Sequence, residues 1–337
     1  MIIRTSFANT AKLCLGIVLI ILMLGAYTRL SDAGLGCPDW PGCYGNVTVP
    51  ASESEFAAAR KLYPDKPLDV TKAWIEMSHR YAAGILGLLV LYMTVVAIRL
   101  KTAKAIDLNS FILSVLVLSL VVLQAVLGML TVTKLVKPTI VTMHLLGGML
   151  IMATLWLLHL KLKHQSGQSR FIERGVKLRT MAIIAVVLIF IQIALGGWVS
   201  TNYAALACIE FPGCYVDRFF PQINTADAFN LRLVDGINYE GGIFDSNTRA
   251  TIHMLHRIGA LIVTVFCSLL AAIAFKNKNL VISRQAVFLV LALSVQVGLG
   301  ISNVYFSLPL PVAVLHNGMA AILLLAPISI AYYAKAR

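Results

Sequence analysis

Apolar residues run along this chain in eight long stretches, approximately 11–28, 80–99, 108–131, 139–160, 179–199, 251–275, 285–305 and 311–333. Each is near the roughly 20 residues an α-helix needs to cross a hydrocarbon core about 30 Å thick. Backbone groups cannot stay unpaired in lipid, so the stretches are expected to be eight membrane-spanning helices. Polar positions gather between them, in two long segments (29–75 and 200–250), a basic segment at 161–178 and short connections near 132–138 and 306–311. The first stretch follows Arg4 and Lys12 as a secretory leader would, but it is long and "GAYTRL" offers no small-x-small cleavage site. It reads as a retained first span.

The pattern repeats. Cys37 and Cys43 in "CPDWPGCYG" match Cys208 and Cys214 in "CIEFPGCYV" at an offset of 171. "QAVLG" from Gln124 matches "QVGLG" from Gln296, and His144 matches His316, both at 172. "EMSHRYAA" from Glu76 matches "HMLHRIGA" from His253 at 177. The offset changes across loops, where insertions are tolerated. Four spans per repeat is an even number, so the halves share one orientation. The fold expected is an all-α integral membrane protein: two parallel four-helix bundles, related by a pseudo-two-fold axis along the membrane normal. Residues 1–164 form one bundle and 165–337 the other.

Composition agrees: 59% of the 337 residues are hydrophobic and 13% charged, against about a quarter charged in a soluble domain. The net charge of +13 is placed for topology and not for nucleic acid. With both termini inside, the inner segments hold 16 of the 28 Lys and Arg (Arg4, Lys12, Arg99, Lys101, Lys104, Lys161, Lys163, Arg170, Arg174, Lys177, Arg179, Lys276, Lys278, Arg284, Lys335 and Arg337) and only two acids, Asp107 and Glu173. That is the positive-inside pattern, and it places both cysteine loops on the outer, oxidising side.

Of seven histidines, His159 and His164 in "LHLKLKHQSGQSR" read as solvated residues at the inner end of the fourth span. His79, His144, His256 and His316 differ. Each lies near the start of an even-numbered span, at the outer face, one pair per repeat. Ionisable groups within a membrane are costly and usually functional. One such histidine alone reads best as a hydrogen bond to a neighbouring helix. Two pairs obeying one repeat favour ligation, because inward imidazoles on facing helices can grip a planar metal macrocycle from both sides. Zinc would want about four ligands together. Glycines near the histidines (Gly84, Gly87, Gly147, Gly148, Gly259, Gly318) leave room for a flat ring or let helices approach closely.

Glu76 lies three residues before His79, on the same helix face, where the second half has His253. The carboxylate has two readings: handling protons or stabilising positive charge in a reaction, or hydrogen-bonding a loop at the helix mouth. The asymmetry points to chemistry in the first half and a permanent cofactor in the second. Arg80 and Arg257 follow a histidine each and either pair with haem propionates or snorkel to the interface. Cys14 and Cys267 read as small buried hydrophobes. The loop cysteines suit disulfides Cys37–Cys43 and Cys208–Cys214, close in sequence around a Pro-Gly bend in an oxidising compartment. They brace the loops or, on a second reading, relay electrons.

"TRLSDAGLGCPDWPGC" (28–43), "EMSHR" (76–80), "TMHLLGG" (142–148), "YEGGIFDSNTRATIHMLHRIGA" (239–260) and "VLHNGMAA" (314–321) together resemble the haem A synthase family over nearly the whole chain. The resemblance implies an inner-membrane oxidoreductase that converts the C8 methyl group of haem O to a formyl group, giving haem A for cytochrome c oxidase. It implies that His79 and His144 flank the substrate haem and that His256 and His316 are axial ligands of a cofactor haem b. Glu76 matches the family's essential carboxylate. The implied partners are haem O, haem A, an electron donor, haem O synthase and oxidase assembly factors. Two other readings compete: a di-haem cytochrome b and a haem transporter. The cytochrome reading suffers because all four histidines lie toward one face, and the transporter reading because it needs no Glu76 asymmetry.

Overall fold

A computed structural model describes residues 2–165, 175–231, 234–277 and 279–334. Arg170, Glu173, Arg174, Lys278, Lys335 and Arg337, counted above among the inner charges, lie outside the described residues. The described chain is helical: α1 (Ile2–Leu30), α2 (Glu53–Leu62), α3 (Val70–Thr102), α4 (Leu108–Thr133), α5 (Pro138–Gln165), α6 (Val176–Thr201), α7 (Thr225–Ala228), α8 (Ser246–Phe275), α9 (Leu280–Tyr305) and α10 (Leu310–Tyr333). All but α2 and α7 are long and apolar enough to cross a membrane, which makes eight. Among the described residues there is no strand, only an isolated bridge between Cys43 and Asn46.

The helices outrun the apolar stretches at the starts of α3 and α8. α3 begins at Val70 and not near residue 80, because the Asp69 carboxylate accepts the Lys72 N–H at 3.0 Å and opens the helix on polar sequence. Asp245 does the same for α8, accepting from Asn247 and Thr248. Such caps satisfy the free N–H groups of a first turn. The consequence for the site is that Glu76 and His79 stand well inside a helix with fixed directions. The long segments also carry structure. α2 starts on a capping box, with the Ser52 hydroxyl accepting the Glu55 N–H and the Glu55 carboxylate accepting the Ser52 N–H.

α1 and α4 each pack against both α3 and α5, closing a ring of four helices, and α6 and α9 each pack against both α8 and α10. The two rings meet through α1 on α10, α5 on α6 and α5 on α10. Their shared core includes Phe7, Leu22, Met93, Met149, Leu155, Ile189, Leu270, Ile282 and Leu324. In lipid such packing rests on close van der Waals contact and interhelical hydrogen bonds. Trp156 Nε1 donates to Ser329 Oγ at 2.8 Å and Asn317 Nδ2 to the Leu22 carbonyl at 3.0 Å. The outward faces of α3, α4, α8 and α9 remain apolar and exposed, for example at Leu88, Val122, Leu261 and Leu291.

A second set of bonds joins the rings where α1 and α6 end. Arg29 donates to the Ser200 carbonyl at 2.6 Å and lies 4.1 Å from the centre of the Tyr203 ring. The Tyr203 hydroxyl donates to Asp32 at 2.7 Å. Burial pushes the Tyr203 phenol above its ordinary pKa, so it remains a donor.

Candidate functional site: two histidine pairs

His79, His144, His256 and His316 sit on α3, α5, α8 and α10, all near the N-terminal ends of those helices. At 1.5 Å per residue each lies about 9–15 Å along its helix. The structure brings His79 and His144 together, ring centres 6.4 Å apart and planes at 79°. His256 and His316 are close enough to interact electrostatically.

Each ring has its own seat. A Cβ built on Gly25 would lie 3.1 Å from Cε1 of His79, and one on Gly128 would lie 3.4 Å from Cε1 of His144. Gly196 and Gly300 stand in the same relation to His256 and His316, both at 3.1 Å. The four glycines come from α1, α4, α6 and α9, each five residues before the end of its helix. A Cβ at Gly25, Gly196 or Gly300 would press on the facing ring by a few tenths of an ångström, and a longer side chain at any of the four would take the ring's place. These glycines went unnoticed in the sequence although the signal was present. Gly128 and Gly300 close the repeated "QAVLG" and "QVGLG", and Gly25 and Gly196 share the 171-residue offset. Of the glycines singled out beforehand, Gly84 faces open space. Gly147 and Gly259 face Gln124 and Gln192, while Gly148 and Gly318 face Leu22 and Met23 of α1.

With ring centres 6.4 Å apart, the first pair leaves room for a metal ion that His79 and His144 would hold between them, a metal–imidazole bond being about 2.0–2.1 Å. Among the described residues no three His, Cys, Asp or Glu side chains cluster to form an all-protein metal site. Buried polar atoms without partners surround both pairs: Nδ1 of His79, His144 and His316, Nε2 of Gln124, and Oε1 of Gln192 and Gln296.

Glu76 is buried at 4% exposure. Its Oε2 accepts the Cys37 N–H at 2.8 Å and its Oε1 pairs with Arg80. Arg80 also donates to the carbonyls of Asp39 and Gly42, at 3.0 and 2.6 Å. The second half repeats this with a different acid–base group. Cys208 N–H donates to His253 Nδ1 at 3.2 Å, and Arg257 donates to the carbonyls of Cys208 and Glu210, at 2.9 and 2.6 Å. Neither arginine behaves as a free interfacial cation; each ties a cysteine loop down over the first turns of α3 or α8. Disulfides join Cys37 to Cys43 and Cys208 to Cys214, while Cys14 and Cys267 are free and buried.

His159 is not a solvated loop residue. α5 continues to Gln165, and the half-buried His159 ring stacks on Trp156 with centres 5.3 Å apart. Lys161 of the same helix bonds Asp107 at 2.6 Å.

Fold and site together define a multi-pass helical membrane protein that carries two paired-imidazole centres at one end of its helices. The profile of the COX15-CtaA cytochrome oxidase assembly proteins matches residues 8–328. The chain is 42% identical to a haem A synthase of Shewanella oneidensis, covering 96% of this chain and 94% of that protein. It is 28% identical to a haem A synthase of Granulibacter bethesdensis (92% and 82%) and 26% identical to one of Rickettsia prowazekii (91% and 91%). The chain belongs to the COX15-CtaA family of cytochrome oxidase assembly proteins.

Proposed function

We propose that this chain is a membrane oxidoreductase that makes haem A, converting the C8 methyl group of haem O to a formyl group. The observation that carries the reading is the repeated site: His79 and His144 face one another across neighbouring helices, and each of the four histidines is seated against a glycine. In this reading His79 and His144 flank the substrate haem, and His256 and His316 hold a cofactor haem b. When bound, that haem supplies one-electron transfer beside the substrate.

Methyl to formyl is a four-electron oxidation, and its electrons pass to an oxidant outside this chain, such as dioxygen (–CH3 + O2 → –CHO + H2O). Glu76 stands one helical turn before His79, with both oxygens engaged. It is the carboxylate placed to accept a proton or to balance positive charge at the substrate. Arg80 and the Cys37 N–H orient it. The second half has His253 in that place, which supports a division of labour: reaction in residues 1–164, permanent cofactor in 165–337.

The contacts between the rings support a pseudo-two-fold arrangement. Residues related by such an axis and lying close to it must lie close to each other. Arg29 bonds Ser200 and Asp32 bonds Tyr203, both at a separation of 171 residues, the offset that relates the cysteine loops. The basic segments and the disulfides support a bacterial inner-membrane topology with both termini cytoplasmic and both sites near the outer face. Partners are then haem O, haem A and an electron-transfer protein, with haem O synthase and oxidase assembly factors as neighbours.

The test is to extract haem after co-expression with a source of haem O and weigh it. Formyl-bearing haem A is the expected product; haem O returned unchanged would overturn the reading.

A further inference from the structure

The two histidine sites are not equally anchored. On α6, Gln192 lies one turn before Gly196, the seat of His256. Its Nε2 is 2.9 Å from His256 Nδ1 and 2.9 Å from the His256 carbonyl. The 171-residue offset that pairs Gly25 with Gly196 pairs Ile21 with Gln192. The structure agrees with that correspondence, because the His79 ring meets the backbone of Ile21. Ile21 has no polar side chain to offer, and Nδ1 of His79 is buried without a hydrogen bond of ordinary geometry. The other glutamine pair, Gln124 and Gln296, is the same residue type at matching positions in both halves, although Gln296 Nε2 lies 3.3 Å from His316 Nε2 while Gln124 Nε2 has no partner.

A metal-bound imidazole is held by what its second nitrogen bonds, and such outer contacts fix both the tautomer and the ring direction. Coordination through Nε2 leaves Nδ1–H needing an acceptor. Gln192 carries one, since its Oε1 is buried and unpartnered; a half-turn of the amide sets that oxygen against Nδ1 once the side chain moves off the His256 carbonyl, to which Nε2 now donates. His79 has no side-chain acceptor at the matching place; its ring meets only the Ile21 backbone and the surrounding packing.

We infer that Gln192 is a positioning residue that makes the second site a retaining site, and that Ile21, its counterpart, makes the first an exchanging one. The inference rests on the proposed assignment of a resident haem to the second half and a transient one to the first. It gives a physical reason for that division: one ring is locked by a side-chain hydrogen bond, and the other is left free to admit and release its haem.

The experiment uses the full chain purified in detergent with the b-type haem it carries, and apomyoglobin as the haem acceptor. Gln192→Ile should release haem about 10–100-fold faster than the parent, the usual effect of removing an outer-shell partner. Gln192→Glu, a stronger acceptor for Nδ1–H, should retain haem and show a lower midpoint potential, a readout that a packing role would not move. Ile21→Gln should leave haem b untouched and slow the release of haem O loaded into the first half. An unchanged release rate and potential in Gln192→Ile and Gln192→Glu would overturn the inference. Should Gln192→Ile fail to fold, unchanged haem O release from Ile21→Gln would overturn it instead. His256→Ala separates the two levels. If that variant keeps all its haem b, the site assignment has failed. If it loses haem while the Gln192 variants behave as the parent, only the role of Gln192 has failed.

Discussion

At the residue scale, Glu76 and the glycine seats carry the sharpest expectations. Glu76→Ala removes the carboxylate but neither histidine nor seat, so haem binding should persist while haem A output falls to background. Haem extraction and mass analysis of the variant decide this, and normal haem A output would remove Glu76 from the reaction. The seats can be probed one half at a time. Gly196→Leu places side-chain carbons where the His256 ring now lies, with only 3.1 Å available even for a Cβ. It should strip the resident haem while the protein still elutes as the parent does. Gly25→Leu acts on His79 and should leave the resident haem in place and abolish product. Much of this was legible beforehand. The four histidines were singled out because their positions repeat, and the structure brings His79 and His144 to 6.4 Å. The glycines facing them went unread because a glycine near the end of an apolar run looks like ordinary helix packing. Only the three-dimensional pairing across helices shows which ring each one faces.

At the element scale, the sequence marks the spans well and their ends poorly. Hydropathy sees only the part of a helix that is apolar. The first ten residues of α3, with Asp69 as cap and Lys72 and Glu76 beyond it, carry polar groups and so read as loop. His159 was misplaced for the related reason that α5 continues into basic sequence, where Trp156 gives the ring a partner. The loop clamps also belong to this scale, and the two halves make a natural comparison. Arg80 and Arg257 bond the carbonyls of their cysteine loops in nearly the same way. Only Arg80 is also paired with a buried carboxylate. Arg257→Ala should therefore lose hydrogen bonds to one loop and a 3.3 Å bond to the His253 ring. Arg80→Ala should lose the same loop bonds and leave Glu76 buried without its cation, an added cost of about 3–5 kcal/mol. Thermal unfolding in detergent should place Arg80→Ala well below Arg257→Ala. Pairing Arg80→Ala with Glu76→Gln should recover most of the difference, because the uncompensated charge is gone.

At the scale of the whole molecule, the question is how two copies of one four-helix pattern become a single device. Both histidine pairs lie at the same end of the helices, and the rings meet along α1, α5, α6 and α10, so in the proposed reading an electron passing between the two sites need not cross the membrane. The join is tight where α1 and α6 end. There Arg29, Asp32, Ser200 and Tyr203 interlock at a separation of 171 residues. Gly25 and Gly196 stand one turn below Arg29 and Ser200, so the join stands directly beside the seats of His79 and His256. If the halves are related by an axis through this point, Asp32 and Tyr203 must stay within bonding distance in the working protein as they do here. Replacing both by cysteine and adding a short, reducible bis-methanethiosulfonate that spans the reach of the lost tyrosine should close a bridge within one chain, read as a faster-migrating band on non-reducing gels and as a single cross-linked peptide by mass analysis. Because the bridge would stand in for an existing side-chain contact, haem content should be unchanged. Haem A output from the cross-linked form then reports on motion between the halves. Full output means that the join is a rigid hinge-pin, and loss of output on cross-linking with recovery on reduction means that the halves must part for substrate to pass. A cross-link that forms only between chains would place the axis elsewhere and dissolve the pseudo-two-fold arrangement on which the division of labour is built.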